Sequence, residues 1–343
     1  MEPVHSCAAV VLNWNGWQDT LTCVHSLLQA QPAPGRIIVC DNGSSDGSLS
    51  RLEDALRAAV GSAFVRTQSS RLDAASADDE GSQALAGGLW LVDNAANLGY
   101  AAGNNVGVRL ALRDPACRHV WILNNDTVVA PDALAQLLDR MAARPDIGLC
   151  GSTLVYEHDR QTVQAFGGSA YSRWTGRTRH LGAHSRLVDV PADAAPVEAG
   201  MACVVGAAML ARREWIESAG LLCEDYFLYF EEIDWAARAA RAPRAPSPGR
   251  HFSLGWAPRS IVFHKEGASV GTAASGGSPL SLYYLFRNRL RFAFRFHRPF
   301  LATVLTATLW DIAKLAARAR WPQVGAALRG TLQLPPPPAA SRP

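Results

Sequence analysis

Short apolar runs alternate with helical patterns through the first half of the chain, and this alternation limits the fold more than any other feature. Short apolar runs between turn-forming residues are typical of buried strands. The runs are residues 8–12, 36–40, 88–92 and 120–123, and the helical patterns are at about 19–29, 48–60, 97–112 and 131–143. Repeated strand–helix units predict an α/β fold with a parallel, doubly wound sheet and right-handed crossovers.

Composition narrows the class of protein. The chain has 343 residues, 48% hydrophobic and 18% charged, with a formal net charge of +3. That length supports one large domain with an appendage, and so small a charge gives no reason to expect a nucleic-acid partner. Seven cysteines lie mostly inside apolar runs without a C-x-x-C pair, so we expect reduced core thiols and a cytosolic setting rather than disulfides or a zinc site.

Membrane-spanning and secretory segments are not expected. The N-terminus lacks the basic start and the long apolar stretch of a signal peptide. No apolar stretch approaches the roughly 18–20 residues that cross a bilayer. The longest candidate, residues 300–310, is interrupted by threonines and stops at Asp311, so we expect it to lie on a surface rather than to cross a membrane.

Polar residues follow the apolar run at 120–123, namely Asn124, Asn125 and Asp126. Ligands of open α/β sheets bind outside the carboxyl ends of the strands. There, Asp126 could hold a hard cation against phosphate groups by its carboxylate and water. An Asn-Asn-Asp sequence after a strand is also ordinary turn chemistry.

Two other predicted strands end in polar groups. Asn13 and Asn15 follow the first strand, and Asp41 ends the second. Asp41 can accept a hydrogen bond from an imide-type N–H, as on uracil or thymine, although the same segment is also a simple turn signal. A calcium loop is rejected because Gly43 and Ser45 replace its oxygen ligands and its twelfth position lacks glutamate.

The segment from Asn97 to Asn105 contains G-x-x-x-G at Gly99 and Gly103, not G-x-G-x-x-G. A dinucleotide fold is therefore poorly supported. Small residues at the start of a helix allow a diphosphate to approach the helix N-terminus closely. Helix packing alone explains the same residues equally well.

Three carboxylates, Glu231, Glu232 and Asp234, follow a cluster of aromatic residues at a predicted helix start. Acidic residues are common in a first helical turn because of the helix dipole. Alternatively one carboxylate acts as a general base, with a pKa raised by apolar neighbours and like charges. His264 ends a later strand, where it is either structural or completes a metal site.

The predicted C-terminal helical segment is basic and aromatic. Its interleaved residues are Arg287, Arg289, Arg291, Arg295 and Arg298 with Phe286, Phe292, Phe294, Phe296 and Phe300. A nucleic-acid surface is one explanation, but an interfacial helix whose arginines reach anionic lipid head groups fits better. A terminal helix packed on the core with a solvated basic face is the third.

Together these motifs resemble family 2 glycosyltransferases of the GT-A fold, in particular the rhamnosyltransferase-like branch that builds bacterial surface polysaccharides. The matching segments are residues 10–16, 41–48, 97–105, 123–127, 205–210, 226–235 and 283–288. The resemblance implies a Rossmann-like mixed sheet flanked by helices in a domain of residues 1–270, with a nucleotide-binding half (1–150) and an acceptor half (151–270). A helical extension (271–334) and a Pro-rich tail (335–343) follow.

The resemblance also implies roles for single residues. Asp41 would contact the nucleotide base. The nucleotide-sugar-binding residues would be Asn13, Asn15, Asp41, Asn97, Gly99, Asn105, Asn124 and Asn125. Asp126, at the position of the family's D-x-D motif, would hold Mg²⁺ or Mn²⁺ on the diphosphate, with His264 as a further ligand. Asn124 replaces the first aspartate of that motif and brings no charge.

Glu231 and Glu232 fall on the family's acidic pair. Glu232 would be the base, one methylene longer than the usual aspartate, with Glu231 and Asp234 as substitutes. The sugar and acceptor pocket would involve Gly206, Ala207 and Trp235.

The implied reaction is inverting transfer from a UDP- or dTDP-linked sugar, for example dTDP-rhamnose. A glycan or glycolipid would be the acceptor, at the inner face of the cytoplasmic membrane. The rivals are a sugar-phosphate nucleotidyltransferase, whose glycine- and arginine-rich N-terminal loop is missing, and a catalytically degenerate, nucleotide-binding scaffold.

Overall fold

The structure is a computed structural model that describes residues 6–74, 88–242, 251–266 and 277–337. Residues 75–87, in a stretch rich in Ser, Ala, Asp and Gly, lie outside the described residues. Most of the Pro- and Arg-rich loop at 241–249 and the end of the Pro-rich tail lie outside the described residues.

The strands and helices alternate as predicted through the first half of the chain. The strands are β1 (Cys7–Asn13), β2 (Arg36–Asp41), β3 (Phe64–Gln68), β4 (Gly88–Asp93), β5 (His119–Asn124), β6 (Thr127–Val129), β7 (Ile147–Tyr156), β8 (Val163–Phe166), β9 (Gly168–Ser172), β10 (Arg177–His180), β11 (Cys203–Val204), β12 (Ala208–Arg212) and β13 (Ser253–His264). The helices are α1 (Trp17–Gln29), α2 (Ser48–Val60), α3 (Ser69–Ala74), α4 (Gly99–Leu112), α5 (Ala133–Ala143), α6 (Ala195–Glu198), α7 (Arg213–Ala219), α8 (Glu231–Ala239), α9 (Pro279–Phe296), α10 (Leu301–Ala317) and α11 (Trp321–Thr331).

One large mixed sheet organises the fold. Its strand order is β3-β4-β2-β1-β5-β12-β7-β13-β6, and β8 also pairs with β7. β1 pairs in parallel with both β2 and β5, as predicted, but β12 runs antiparallel between β5 and β7. The predicted α/β class and mixed sheet are therefore confirmed, whereas the sheet is not parallel throughout. A small second sheet has the order β10-β9-β11.

Helices cover both faces of the sheet, which explains why its central strands are apolar throughout. Along β1, Ala9 and Val11 belong to the core cluster shared with α1, α2 and α5. Ala8 and Val10 belong to the cluster on the opposite face, shared with α4, α7 and α8. All seven cysteines are free and six are buried, which confirms the expectation of core thiols.

α4 lies close against the sheet because small residues face it. A Cβ added at Gly107 would stand 2.5 Å from Cγ1 of Val10 and 3.1 Å from Sγ of Cys40. A Cβ at Gly103 would stand 2.7 Å from Cδ1 of Leu12. Packing therefore accounts for the small residues inside this helix.

The basic residues of α9 face the protein rather than a lipid surface. Arg289 is 5% exposed and pairs with Asp311 at 3.0 Å. Arg295 pairs with the buried Asp234 at 2.9 Å, and Arg287 donates to a main-chain carbonyl in the loop before α8. These arginines thus have acceptors within the protein, and contact of this helix with a membrane stays a prediction.

The helix that follows is more apolar than expected. The segment Arg298–Ala317, which includes α10, is long and apolar enough to cross a membrane by length and composition, with a mean hydropathy of 1.4 and only 17% of the window buried. The expectation that no stretch approaches that length is therefore wrong.

Two helical glycines give a matched test of the packing of α4. We expect Gly107→Ala to lower the free energy of unfolding by about 1–3 kcal/mol, because its methyl group would overlap Val10 in a strand that cannot shift. In α11, Gly325 has nothing within 4 Å of an added Cβ. Gly325→Ala should therefore be neutral or stabilising by roughly 0.5–1 kcal/mol. Urea unfolding of both variants measures the difference, and equal effects would contradict this account of the packing.

Candidate active site

The sheet brings three predicted polar strand ends together. In the β1–β2 register Asn13 lies opposite Asp41, and in the β1–β5 register Leu12 lies opposite Asn124. β1 is the point where the strand order reverses direction, since β2 lies on one side and β5 on the other. Open α/β sheets bind ligands at such a point, outside the carboxyl ends of the strands.

Asn13 and Asp41 form a buried pair beneath the loops. Nδ2 of Asn13 donates to Oδ2 of Asp41 at 2.6 Å, and Oδ1 of Asn13 accepts from Thr20 at 2.7 Å. Ser44 donates to Asp41 from both its main-chain N–H (3.0 Å) and its hydroxyl (2.7 Å). Asn13 is 0% and Asp41 1% exposed. The pair supports the loops, so direct ligand contact by Asn13 is contradicted.

Asn15 joins the two loops that follow β1 and β2. It adopts a left-handed conformation with φ of 53°. Its main-chain N–H donates to Oγ of Ser44 at 2.9 Å, and its Oδ1 accepts from the main-chain N–H of Ser45 at 2.8 Å. These half-buried and exposed groups, rather than Asn13, face the solvent side of the strand ends.

The polar side chains of α4 and of the residues just before it bond mainly to the protein's own main chain. Oδ1 of the exposed Asn97 accepts from the main-chain N–H of Gly99 at 3.0 Å. Gly99 has φ of 82°, and an added Cβ would meet the carbonyl oxygen of Phe227 at 2.5 Å. Asn105 is buried and bonded in both directions to Leu222, at 2.9 and 3.1 Å. The prediction that Asn105 binds the ligand is therefore wrong.

Asn124 and Asn125, at and after the end of β5, have different surroundings. Asn125 is buried and donates to Thr20 at 3.1 Å and to the carbonyl oxygen of Gly16 at 3.3 Å. It holds the α1 loop, so the prediction that Asn125 contacts the ligand is wrong. Nδ2 of Asn124 lies 3.4 Å from Nε2 of His264.

Asp126 and His264 meet as predicted for a metal site. Oδ1 of Asp126 lies 3.2 Å from Nε2 of His264, and both residues are buried. Nδ1 of His264 lies 2.9 Å from Oε1 of the buried Gln164. A carbonyl oxygen can only accept, so Nδ1 carries a hydrogen, and Nε2 is the ring nitrogen that could bind a cation beside Asp126. Carboxylate and imidazole with such an orienting partner fit a divalent cation.

This donor set leaves room for oxygen atoms of a ligand. Within the part of the chain that the structure describes, there is no group of three or more His, Cys, Asp or Glu side chains that could hold a metal ion. A cation there would complete its coordination with water and with phosphate oxygens, as Mg²⁺ usually does. Asp126 and His264 therefore supply two of the donors that such a cation would need.

Glu231 and Glu232 stand in the first turn of α8. Burial, and then the charge of Glu232, raise the pKa of Glu231 well above its usual range. Burial also raises the pKa of Glu232, which keeps partial exposure to solvent. The helix dipole favours the charged forms by only about 0.3–1 kcal/mol, so desolvation prevails. Among the described residues, no hydrogen-bond partner lies at Oε2 of the buried Glu231.

Tyr100 connects the two acidic centres. Its hydroxyl donates to the carbonyl oxygen of Gly206 at 2.6 Å. Burial raises its pKa well above the usual value, and Glu231, Glu232 and Asp126 add to that rise. The pKa of Tyr100 thus responds both to the Glu231–Glu232 pair of α8 and to Asp126 after β5. The two predicted centres therefore face a common space.

The predicted sugar pocket is only partly in place. Gly206 faces Tyr100, and the carbonyl oxygen of Ala207 accepts from the main-chain N–H of Asn124 at 3.0 Å. Trp235 is 1% exposed and donates to the carbonyl oxygen of Gly220 at 2.7 Å. Its position in the core contradicts the prediction that it borders the acceptor.

Asp234 is buried and hydrogen-bonded within the protein. It is 0% exposed and accepts from Tyr226 (3.0 Å), Arg238 (2.5 Å) and Arg295 (2.9 Å). The two guanidinium groups and the phenol occupy this buried carboxylate, so the structure gives no support to Asp234 as a substitute for Glu232.

The segment before α8 is strained. Phe227, Tyr229 and Phe230 have φ of 64°, 65° and 77°. Left-handed conformations are genuine outliers for such bulky residues, and strain of this kind collects at functional sites.

Sequence reasoning missed three residues of this neighbourhood. Tyr100 and Asn288 lie in two of the matching segments, but the motifs indicate no role for their side chains. Gln164 lies in a strand that carried no polar signal. The contact of Gln164 with His264 joins residues 100 positions apart, which no local pattern reveals.

Solved structures with a similar fold are nucleotide-sugar enzymes by name. GalNAc-T7 with UDP, GalNAc and Mn²⁺ has a TM-score of 0.52 and 14% identity, over 82% of this chain and 47% of that one. TarS 1–349 of S. aureus with UDP-GlcNAc has a TM-score of 0.52 and 11% identity, over 95% and 81%. PcManGT, a mannosyltransferase of Pyrobaculum calidifontis with GDP-Man and Mn²⁺, has a TM-score of 0.50 and 15% identity, over 97% and 77%.

These likenesses show the GT-A fold. The present chain spans about half the length of the GalNAc-T7 chain. The sequence profile described as "Glycosyl transferase family 2" matches residues 8–201, more than half of the 343 residues. The chain belongs to glycosyl transferase family 2. No curated protein matches it.

The buried carboxyl group of Glu231 predicts a pH dependence of stability. Its pKa is raised in the folded protein, so above the unfolded pKa of about 4.3 the folded state holds a proton that the unfolded state has lost. Stability falls as pH rises, and Glu231→Gln removes this loss. We expect the variant to gain stability relative to the parent between pH 5 and 8, by on the order of 1 kcal/mol or more.

Urea unfolding across that pH range measures the difference. Glu217→Gln is the matched control, because Glu217 lies at the surface with a side chain 57% exposed. A difference between Glu231→Gln and the parent that stays flat with pH would contradict the burial of this carboxyl.

Proposed function

We propose that this protein is a metal-dependent, inverting glycosyltransferase that moves a sugar from a nucleoside-diphosphate donor to a hydroxyl acceptor. The observation that carries the proposal is the position of Tyr100. Its main-chain N–H donates to the carbonyl oxygen of Phe227, shortly before the Glu231–Glu232 pair, and its hydroxyl donates to Gly206, next to the residue whose carbonyl accepts from Asn124. A cation-binding aspartate and a proton-accepting glutamate thus face one space outside the strand ends. Membership of glycosyl transferase family 2 supports the reaction class.

Asp126 and His264 would hold Mg²⁺ or Mn²⁺. When bound, the cation stabilises negative charge on the departing diphosphate as a Lewis acid. Gln164 keeps the His264 ring in the tautomer that presents Nε2 to the site. Asn124 brings a neutral carboxamide next to this nitrogen, in place of a second carboxylate.

Glu232 would take the proton of the acceptor hydroxyl. As that oxygen forms its bond to the anomeric carbon, the bond from this carbon to the diphosphate oxygen breaks on the opposite face, which inverts the configuration. Burial raises the pKa of Glu232 towards the range in which a general base is efficient. Glu231 is buried behind it and keeps its proton more tightly, so Glu232 is the better base.

The donor would be a UDP- or dTDP-linked sugar, including dTDP-rhamnose, and the acceptor a glycan or glycolipid. Support comes from the solved structures of this fold that hold UDP or UDP-GlcNAc. PcManGT holds GDP-Man instead, so a donor panel should include all three bases.

A catalytically degenerate, nucleotide-binding scaffold is the second candidate. The observation that favours it is the neutral Asn124 beside His264, since one carboxylate fewer weakens the hold on a cation. Activity measurements separate the two candidates.

Release of nucleoside diphosphate tests the proposed reaction. A panel of UDP-, dTDP- and GDP-sugars is incubated with Mn²⁺, and product is measured for the parent, Asp126→Asn and Glu232→Gln. We expect both variants to lose about 10²–10⁴-fold in rate, the usual range for removal of a general base or a charge-stabilising group. Glu217→Gln is the surface control and should keep the parent rate. Unchanged rates in both site variants would refute the assignment.

Peripheral attachment to the inner face of the cytoplasmic membrane is also proposed, through α10 and α11 rather than α9. Leu309 and Trp310 on α10 are 50% and 62% exposed, and Trp321 at the start of α11 is 64% exposed. Lys314 and Arg318 extend the same region at the end of α10. Exposed tryptophan and leucine beside basic residues match an interface with anionic lipid.

Attachment along the surface is favoured over crossing. One face of α10 is engaged with protein, because Val304, Thr308 and Ile312 are buried. Asp311 on that helix accepts from Arg177 and Arg289 at 2.5 and 3.0 Å. If α10 crossed a membrane, it would lose this packing, and Asp311 would lose its ion pairs with Arg177 and Arg289.

Vesicle flotation tests the attachment. We expect the parent to float with phosphatidylglycerol-containing vesicles, less so at high salt, and not with pure phosphatidylcholine. Leu309→Glu with Trp310→Glu should abolish flotation because charge replaces the inserted apolar surface. Val188→Glu is the control, since Val188 is 77% exposed outside these helices. Equal flotation of the parent and the double variant would exclude this surface.

A further inference from the structure

We propose that Asn288 of α9 is a positioning residue that holds the strained aromatic segment, residues 226–230, and thereby sets the orientation of Glu232. The inference rests on the proposed function for its catalytic part only. Its structural part, the clamp on the segment, is independent of the reaction.

The strained segment needs an outside support. Its three left-handed aromatic residues persist only if the surroundings over-determine them. α8 begins immediately after Phe230, which is its N-cap residue and makes no side-chain capping bond. A helix start that served stability alone would favour Ser, Thr, Asp or Asn at this position. The geometry before the acidic pair is therefore imposed from elsewhere.

Asn288 supplies that support. Its side chain is 0% exposed. Nδ2 lies within hydrogen-bond distance of three carbonyl groups of the segment, those of Tyr226 (2.8 Å), Leu228 (2.7 Å) and Tyr229 (3.0 Å). The carbonyl oxygen of Tyr226 also accepts from the main-chain N–H of Leu228 at 2.8 Å, and the amide of Asn288 ties it to the carbonyl groups of Leu228 and Tyr229. Loss of this amide would remove a donor from all three carbonyl groups.

Other residues of α9 fix the flanks of the same segment. Tyr284 stacks on Phe227 with ring centroids 4.6 Å apart. Nη1 of Arg287 and Nη1 of Arg291 each donate to the carbonyl oxygen of Asp225 at 3.0 Å. These contacts place α9 along the outer side of the segment, with Asn288 at their centre.

The opposite side of the segment faces the candidate active site. The carbonyl oxygen of Phe227 accepts from the main-chain N–H of Tyr100 at 2.6 Å. Tyr100 is the residue that connects Asp126 with the glutamate pair. A displacement of the segment would therefore move Glu232 and Tyr100 relative to the aspartate after β5, and small displacements of reacting groups cost large factors in rate.

The test combines a structural and a kinetic measurement on the full chain. For Asn288→Ala we expect faster amide hydrogen exchange across residues 225–232, with exchange in β1 and β5 unchanged. We also expect kcat for donor turnover to fall at least about tenfold, donor KM to stay within about twofold, and the limb of the pH–rate profile that reports Glu232 to shift. UDP with Mn²⁺ should still raise the melting temperature, which shows that the nucleotide half is intact.

Phe286→Leu is the matched control. Phe286 is a buried residue of the same helix that packs towards α10 and α11 rather than towards the segment. It should lower the melting temperature without altering the exchange of residues 225–232, kcat or the pH profile. If Asn288→Ala does not fold, Asn288→Gln, which keeps the amide but displaces it by one methylene, is measured in the same way.

The outcomes separate the clamp from the reaction. Unchanged exchange across residues 225–232 would overturn the clamp. Faster exchange with unchanged kcat and pH profile would overturn the positioning role. Faster exchange in a protein whose parent turns over no donor would support the clamp and count against the proposed function instead.

Discussion

The site depends on acidic groups held together where water is scarce. Asp126, Glu231 and Glu232 all act on the same enclosed phenol, and like charges in such a place are stable only if protons or a cation neutralise them. Two kinds of neutralisation are available. Burial raises the pKa of Glu231, which favours its protonated form, and Asp126 lies beside the imidazole of His264, which Gln164 orients. Protonation and cation binding are thus two ways to neutralise the negative charge of these carboxylates. The proposed glycosyl transfer would use both.

The sequence allowed the strands and helices of residues 1–150 to be predicted well, because their signals are local. The run at 8–12 became Cys7–Asn13 and the run at 120–123 became His119–Asn124, since strands buried on both faces are apolar throughout. The antiparallel β12 was not predicted, because its pairing with β5 joins residues about 85 positions apart. Hydrophobic patterns carry no information on such long-range pairing.

Errors at the site share one cause. A motif locates a segment, but it does not say which of its side chains face the ligand. Asn105, Asn125, Asp234 and Trp235 all lie in matched motifs, yet each faces inward and is paired with the protein. The arginines of α9 show the same ambiguity, because a basic amphipathic pattern suits lipid head groups and buried carbonyl or carboxylate acceptors equally well.

α9 contacts the segment of residues 226–230 on one side and packs against α10 and α11 on the other. The C-terminal helices are therefore not an interchangeable anchor attached to a self-sufficient catalytic unit. A chimaera that took its extension from another family member would also have to inherit the amide at position 288. A domain boundary drawn from the sequence profile alone, which here ends at residue 201, divides the protein where its architecture is continuous.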